Sequence, residues 1–320
     1  MDAAAITIVV PGFDVAPYVA EALDSLRAQT RGDWLAILVD DGSTDATGTL
    51  FDDAAAADPR FRVVHHDRRR GLAAARNTAL NLVETPLVGF LDADDRFTPT
   101  ALERLVGTIE RSGSDVAVGA YVRLRADGMG GYTAGPVQPW VAEATDPART
   151  AVRLADHPAV SGNVVAWSKV SRTELWRRIG LRFPEGRLYE DQVLAQTLYT
   201  RARAIDVIPD VVVQWRERAD GSSITQGTGT VPVLADYLAA LHGGIDVLEQ
   251  AGHPAAVQSR IALILTMDLP PLVRIGQRHP DAAYRRAVGA FARDLWARAG
   301  AARRRVDETS ATLVSAARLW

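Results

Sequence analysis

Cysteine is absent from the 320 residues, which excludes disulfides and thiolate metal sites and fits a reducing compartment. Neither sign of charge prevails: 36 Lys and Arg stand against 39 Asp and Glu, a formal charge of -3. Such a balance gives no electrostatic reason to expect a nucleic-acid partner. No run approaches the ~18 uninterrupted apolar residues of a membrane span. Asp2 and an immediate strand give no signal-peptide pattern, so a soluble cytoplasmic protein is expected. Of the six histidines only His65 and His66 are adjacent and none has metal-ligand spacing, so all are read as structural. No Gly-x-Gly-x-x-Gly follows the first strand, which disfavours a dinucleotide-dependent oxidoreductase. Internal repeats and low-complexity tracts are also missing. What remains, with 48% hydrophobic residues, is enough for the core of one large or two modest domains.

Short β-branched runs alternate with helical patterns over the first hundred residues, which predicts a mostly parallel sheet covered by helices. Ile6 to Val10 is a buried-strand run closed by Pro11-Gly12, and Val19, Leu23 and Leu26 follow at helical spacing. Further strands are expected at Leu35–Val39, Phe61–Val64 and Leu87–Leu91, with an Ala-rich helix over Gly71–Leu82. Thr98-Pro99 reads as the N-cap and first position of another helix. Asp115–Leu124 is a predicted strand, and 125–136 a Gly-rich loop with little regular structure. A helix at Ser171–Ile179, another after Glu190-Asp191 and a strand over Ile205–Val213 complete an α/β half, residues 1–225. Residues 219–230 read as a loop or linker. Beyond it Leu234, Leu238, Leu241, Ile245 and Leu248 recur at helical spacing, so 226–320 is expected to be a helical C-terminal region added to the catalytic part.

Two strands end in acids and one in a Pro-Gly turn, and ligands of open α/β sheets sit at that carboxyl rim. Asp92-Ala93-Asp94-Asp95 carries the strongest signal. Carboxylates are hard oxygen ligands for Mg²⁺ or Mn²⁺, which are typically held by one or two of them plus substrate phosphates. Alternation in an extended segment would place Asp92 and Asp94 on one side. A solvated turn capping the next helix is the competing reading, but crowded carboxylates repel unless a cation offsets them. Asp40-Asp41-Gly42-Ser43 is a second acidic strand end, able to accept from a base edge or to cap the following helix.

Pro11-Gly12-Phe13-Asp14, Asp40 to Asp45, Gly71 with Ala75-Arg76-Asn77, Asp92 to Asp95 and Glu190-Asp191 resemble, in order and spacing, the motifs of family 2 glycosyltransferases. The resemblance covers roughly residues 5 to 225 and implies the GT-A fold, a nucleotide-sugar donor and an inverting mechanism. It implies donor-site roles for Pro11, Phe13, Asp14, Asp41, Arg76, Asp92 and Asp95, with Asp94 as the metal ligand for Mn²⁺ or Mg²⁺, the run of acids permitting a one-residue shift among Asp92, Asp94 and Asp95. Asp191 resembles the general base, with Glu190 as its partner. Arg216 and Arg218 can contact the diphosphate, or simply be surface arginines. Asp14 stands where the family usually has Asn, a departure that bears on base contacts and makes uridine an expectation only. Trp167, Trp176 and Trp215 can stack on sugars but suit core positions better.

A glycan or polymer acceptor is expected, teichoic-acid-like polymers included, with the enzyme in the cytoplasm or at the inner membrane face. Two rivals stand beside this. A sugar nucleotidyltransferase would want a Gly-rich, Arg-containing loop after the first strand, where Pro11-Gly12-Phe13-Asp14 stands. A non-catalytic nucleotide-sugar binding module would have lost the acids that are present here. In the C-terminal region Arg285, Arg286, Arg293, Arg298, Arg303, Arg304 and Arg305 fit helices packed as a bundle, or a surface for oligomerisation or peripheral membrane contact.

Overall fold

The computed structural model describes residues 4–129, 131–218 and 228–320. Most of the linker read at 219–230, and Gly130 of the Gly-rich loop, lie outside the described residues. Contacts divide the chain into two compact units, one of Met1–Arg153, Val165–Gly186 and Arg201–Ala219, the other of Leu154–Val164, Arg187–Thr200 and Asp220–Trp320. The second unit thus takes in two segments that lie well before residue 226 in the chain.

The first unit holds every strand among the described residues. In chain order its elements are β1 (Ile6–Gly12), α1 (Ala16–Arg27), β2 (Trp34–Asp40), α2 (Thr47–Ala57), β3 (Phe61–His65), α3 (Leu72–Leu80) and β4 (Leu87–Phe90). There follow β5 (Arg96–Phe97), α4 (Ala101–Ser112), β6 (Val116–Ala126), β7 (Tyr132–Ala134), α5 (Pro139–Thr145), β8 (Arg149–Val152), β9 (Lys169–Arg172) and α6 (Thr173–Ile179). After α7 (Asp191–Arg201), most of which belongs to the second unit, β10 (Ile205–Arg216) closes the sheet. The strand order is β3-β2-β1-β4-β9-β6-β10-β5, with β7 beside β6 and β8 beside β10. Pairs among β3, β2, β1 and β4 are parallel, as is β6 with β10. β9 runs antiparallel to both β4 and β6. This is the α/β sheet flanked by helices that the sequence predicts, its parallel character concentrated in the N-terminal half.

Burial explains the order of the central strands. Ile6, Ile8, Val9 and Val10 of β1 are wholly buried, as a strand covered by helices on both faces must be. Val19, Leu23 and Leu26 of α1 turn inward at the predicted spacing. Two local expectations are corrected. Thr98 is not an N-cap: α4 begins at Ala101, and the Thr98 hydroxyl donates to the Val211 carbonyl at 2.7 Å, while its amide donates to Val212. The Gly-rich stretch is not irregular throughout, since β7 pairs antiparallel with β6, Ala126 opposite Tyr132.

In the second unit α7 is followed by α8 (Val231–Gln250), α9 (Pro254–Leu263), a π-helical turn at Ile264–Asp268, α10 (Leu269–Arg278), α11 (Ala282–Arg298) and α12 (Glu308–Ala317). Leu234, Leu238, Leu241, Ile245 and Leu248 of α8 are all buried. Val231–Gln250 and Pro254–Arg278 are long and apolar enough to cross a membrane by length and composition, with 33% and 61% of their apolar windows buried in the molecule. Several of the C-terminal arginines serve the unit itself. Arg298 pairs with Asp246, Glu249 and Asp294, and Arg293 donates to the carbonyls of Arg318 and Trp320.

Candidate donor site and the acidic turn

β1 has β2 on one side and β4 on the other, so the strand order reverses between β1 and β4. Crevices at such switch points bind ligands at the carboxyl ends of the strands. Pro11-Gly12 ends β1 and the acidic segment follows β4, so the two flank that point. The Ala93 amide donates to the Pro11 carbonyl at 3.3 Å, and the Asp41 amide to the Gly12 carbonyl at 2.9 Å. A Cβ on Gly12 would come within 2.9 Å of the Phe51 ring, so glycine here lets α2 pack against the strand end.

Residues 92–95 form a turn, the Asp95 amide donating to the Asp92 carbonyl at 2.9 Å. The extended alternation read from sequence is therefore corrected. Asp92 accepts from Arg76 Nη2 at 2.7 Å, whereas Asp94 Oδ2 accepts from Arg218 Nε at 2.8 Å and Nη2 at 2.7 Å. Asp95 is buried, and its Oδ1 accepts from the Arg216 amide at 2.7 Å. Arg216, 1% exposed, donates from Nε to the Asp94 carbonyl and from Nη2 to Glu21, each at 2.7 Å. Its guanidinium lies against the rings of Tyr132 and Tyr18. Arg216 thus clamps the turn to the end of β10, and Arg218 alone of the pair reaches a carboxylate of the turn from its side chain.

Burial pushes the Asp94 carboxyl up, with the Asp92 charge adding to it and Arg218 opposing. Asp95 is pushed well above the carboxylate range by burial, then by Asp94 and Asp92. Its Oδ2 is buried without a hydrogen-bond partner among the described residues. Carboxylates crowded into a largely buried turn are hard oxygen donors of the kind a divalent cation takes. Among the described residues no cluster of three or more His, Asp or Glu stands ready to hold one. The donor set therefore suits an ion held by one carboxylate of the turn and completed by phosphate oxygens.

The second acidic strand end is fully engaged. Asp41, 3% exposed, accepts on Oδ1 from His66 Nδ1 at 2.7 Å and the Arg70 amide at 2.9 Å, and on Oδ2 from the Gly71 amide at 2.7 Å. The His66 ring is held from its other side by Thr78 at 2.9 Å. His66, read from the sequence as structural, orients the carboxylate of Asp41, a partnership the sequence reading does not name. The signal available was its place: β3 lies parallel to β2 with His65 opposite Asp40, which sets His66 beside Asp41.

Asp14 has a positive φ of 48°. Its Oδ1 accepts from the Thr44 amide at 2.7 Å and the Asp45 amide at 3.3 Å, so it stitches the loop after β1 to the loop after β2. Phe13 lies beneath the Arg69 guanidinium, 4.3 Å from its ring centre. Arg76 is buried against the Phe183 ring. Trp167 and Trp176 are buried, Trp176 packing on Phe90 and Phe183, so both belong to the core, while Trp215 is half-buried and stacks on Trp167. Glu190 and Asp191 stand apart from this group in the division of the chain: they lie in the second unit, Asp191 as the first residue of α7 and Glu190, buried, just before it.

A sequence model described as glycosyl transferase family 2 matches residues 7–136. The uncharacterized glycosyltransferase EpsJ of Bacillus subtilis is 28% identical over 223 residues, 66% of this chain and 61% of EpsJ. The chain thus spans less than two thirds of that relative's length. Among solved structures, residues 1–349 of S. aureus TarS in complex with UDP-GlcNAc superpose with a TM-score of 0.72 at 20% identity, covering 98% of this chain and 91% of that one. The mannosyltransferase PcManGT from Pyrobaculum calidifontis, in complex with GDP-Man and Mn²⁺, superposes with a TM-score of 0.55 at 16% identity, covering 99% and 88%. With the motifs at its strand ends and the sheet order described above, residues 7–136 match glycosyl transferase family 2, and the chain has the GT-A fold.

Proposed function

We propose that the chain is an inverting glycosyltransferase that moves a sugar from a nucleoside-diphosphate sugar, UDP-linked, to a hydroxyl of a glycan or polymer acceptor. The observation that carries this reading is the buried acidic turn at the β1/β4 switch point, braced by Arg76, Arg216 and Arg218. Asp41, Phe13 and Pro11 frame the nucleoside, and Asp92 the ribose. Arg76, paired with Asp92, braces the uracil or phosphate oxygens. Mg²⁺ or Mn²⁺ at Asp94 would supply charge stabilisation for the departing diphosphate. Arg218, already at Asp94, adds a second positive charge where the leaving group develops its own. Arg216 acts on the turn and not on the donor. Asp191, with Glu190 beside it, takes the proton of the acceptor hydroxyl, and that oxygen attacks the anomeric carbon opposite the leaving group.

UDP is supported by the motifs and by the ligand of TarS; GDP-Man in PcManGT shows that the fold also serves another base. The family resemblance supports a teichoic-acid-like or polysaccharide acceptor, with the enzyme in the cytoplasm or at the inner membrane face. A nucleotidyltransferase reading finds no phosphate loop after β1, where Asp14 instead ties two loops together. The test is a screen of nucleotide sugars for hydrolysis with Mn²⁺ present, on wild type and Asp191→Asn. Turnover should fall by orders of magnitude in the variant with donor affinity near wild type, because a transition-state role shows in the rate constant. Retained turnover would remove Asp191 as the base, and donor binding without hydrolysis of any sugar would favour a binding module.

A further inference from the structure

The second unit contains a buried polar network that nothing above uses, and it surrounds Glu190 and Asp191 in sequence. Tyr189 has a φ of 61°, a conformation uncommon for any residue but glycine and costly for a bulky one. Its ring lies 4.4 Å from that of Tyr237 on α8. The Tyr237 hydroxyl donates to Asp268 Oδ1 at 2.8 Å. On the other side of the pair, Gln192 Oε1 accepts from Arg260 Nη2 at 2.9 Å, and the same nitrogen donates to Asp268 Oδ2 at 3.2 Å. Both anchors therefore end on one carboxylate. Asp268 closes the π-helical turn between α9 and α10, a distortion that recurs at functional positions.

Packing alone does not account for this arrangement. Arg260 is 2% exposed, and a buried ion pair commonly contributes no more stability than apolar residues of the same volume. The Tyr189 hydroxyl and Arg260 Nη1 are buried without hydrogen-bond partners among the described residues. Such atoms each cost stability, and together with a left-handed tyrosine they mark strain held in place by its surroundings. The strain falls on the residue before Glu190. The Gln192 amide donates to the Tyr189 carbonyl at 3.2 Å, so a single turn runs from the first anchor to the second with the two acids inside it.

We propose that Asp268 is a positioning residue: through Tyr237 and Arg260 its carboxylate fixes the Tyr189–Gln192 turn, and with it the direction in which Glu190 and Asp191 point. This rests on the reading of Asp191 as the base. A base must reach its proton within hydrogen-bond distance, and a misplacement of about 1 Å can cost on the order of a hundred-fold in rate. A turn pinned at both ends to one carboxylate supplies that constancy.

The experiment uses the full chain and the mild variant Tyr237→Phe, which keeps the ring contact and removes one hydrogen bond, beside Asp268→Asn. Hydrogen exchange of peptides covering 187–192 should quicken about ten-fold or more in both variants, with β1 and α11 unchanged; this arm needs no substrate. With UDP-N-acetylglucosamine as the probe for hydrolysis, kcat should fall by about ten- to a hundred-fold while KM for the donor stays within about two-fold. In an Asp191→Asn background Tyr237→Phe should cost nothing further, since coupled residues are not additive. Unchanged exchange over 187–192, or exchange that quickens equally throughout the helical unit, overturns the proposal. So does a full additive loss in the double variant. Retained hydrolysis in Asp191→Asn alone would instead sink the base reading while leaving the exchange result to judge the pinned turn.

Discussion

Asp94 shows what one residue's surroundings decide. Its carboxylate is half of a pair with Arg218 and lies in a turn already crowded by Asp92 and Asp95, where burial raises the carboxyls. Asp94→Asn removes a charge whose burial is unfavourable and keeps an oxygen that can accept from Arg218, so the fold should survive. Metal-dependent binding of UDP should weaken sharply, as calorimetry with UDP and Mn²⁺ would record; undiminished metal-dependent binding in the variant removes Asp94 from the ligand set. The acids themselves were legible, because a run of carboxylates after an apolar strand is a local pattern. Their counter-charges were not. Arg218 lies 124 positions and Arg216 lies 122 positions from Asp94, and no local spacing joins residues that only β10 brings together. Arg76 and Arg218 supply part of the positive charge that the run of acids alone would ask of a cation.

Elements were read best where periodicity is strong and worst where a side chain chooses between two backbones. The strands β1 to β4 and the helices of the C-terminal region lie where their apolar patterns place them, since burial on one or both faces sets those patterns. Thr98 failed because its hydroxyl has a competing acceptor on β10, and β7 was missed because three residues beside glycines carry no usable alternation. The turn after β2 is the element on which the donor loops depend. Gly42 sits at φ +72, and a Cβ there would come within 2.6 Å of the Arg68 backbone. Gly42→Ala should therefore cost about 2–4 kcal/mol, from the left-handed backbone and from overpacking. The loop of Arg68 to Gly71, held by Asp41, has to move aside to admit the methyl group. Denaturant unfolding measures the first effect, and a fall in UDP affinity beyond what the stability loss explains measures the second. An alanine variant with unchanged midpoint and affinity would show that the loop yields freely and does not frame the base.

At the scale of the whole molecule the sequence suggests a catalytic half followed by an added helical tail, whereas contacts group the tail with residues 154–164 and 187–200. Those two segments depend on each other and on the C-terminal helices. Gln196 donates to the Ser161 carbonyl at 2.8 Å, and the Tyr199 hydroxyl to the Asn163 carbonyl at 2.7 Å. Gly244 of α8 approaches the Gln192 carbonyl so closely that a Cβ would stand 3.3 Å from it, and Arg260 of α9 holds the Gln192 side chain. Hydropathy along the chain shows that α7 is half-apolar but not which helices will cover it, which is why the grouping was not legible. Truncation after residue 230 separates two roles that a single melting curve would merge. Every residue proposed to hold the donor belongs to the first unit, so the truncated protein should keep a thermal shift with UDP and Mn²⁺. Asp191 would remain in the chain, but Tyr189 and Gln192 would lose Tyr237, Arg260 and Asp268. Turnover should then drop at least as far as in Asp191→Asn, and peptides over 187–200 should exchange fast while those of β1 and β4 stay protected. A truncation that turns over normally would show that the helices are dispensable to the base; one that is insoluble, or that shows no ligand-induced shift, would show that the sheet cannot hold the donor without them.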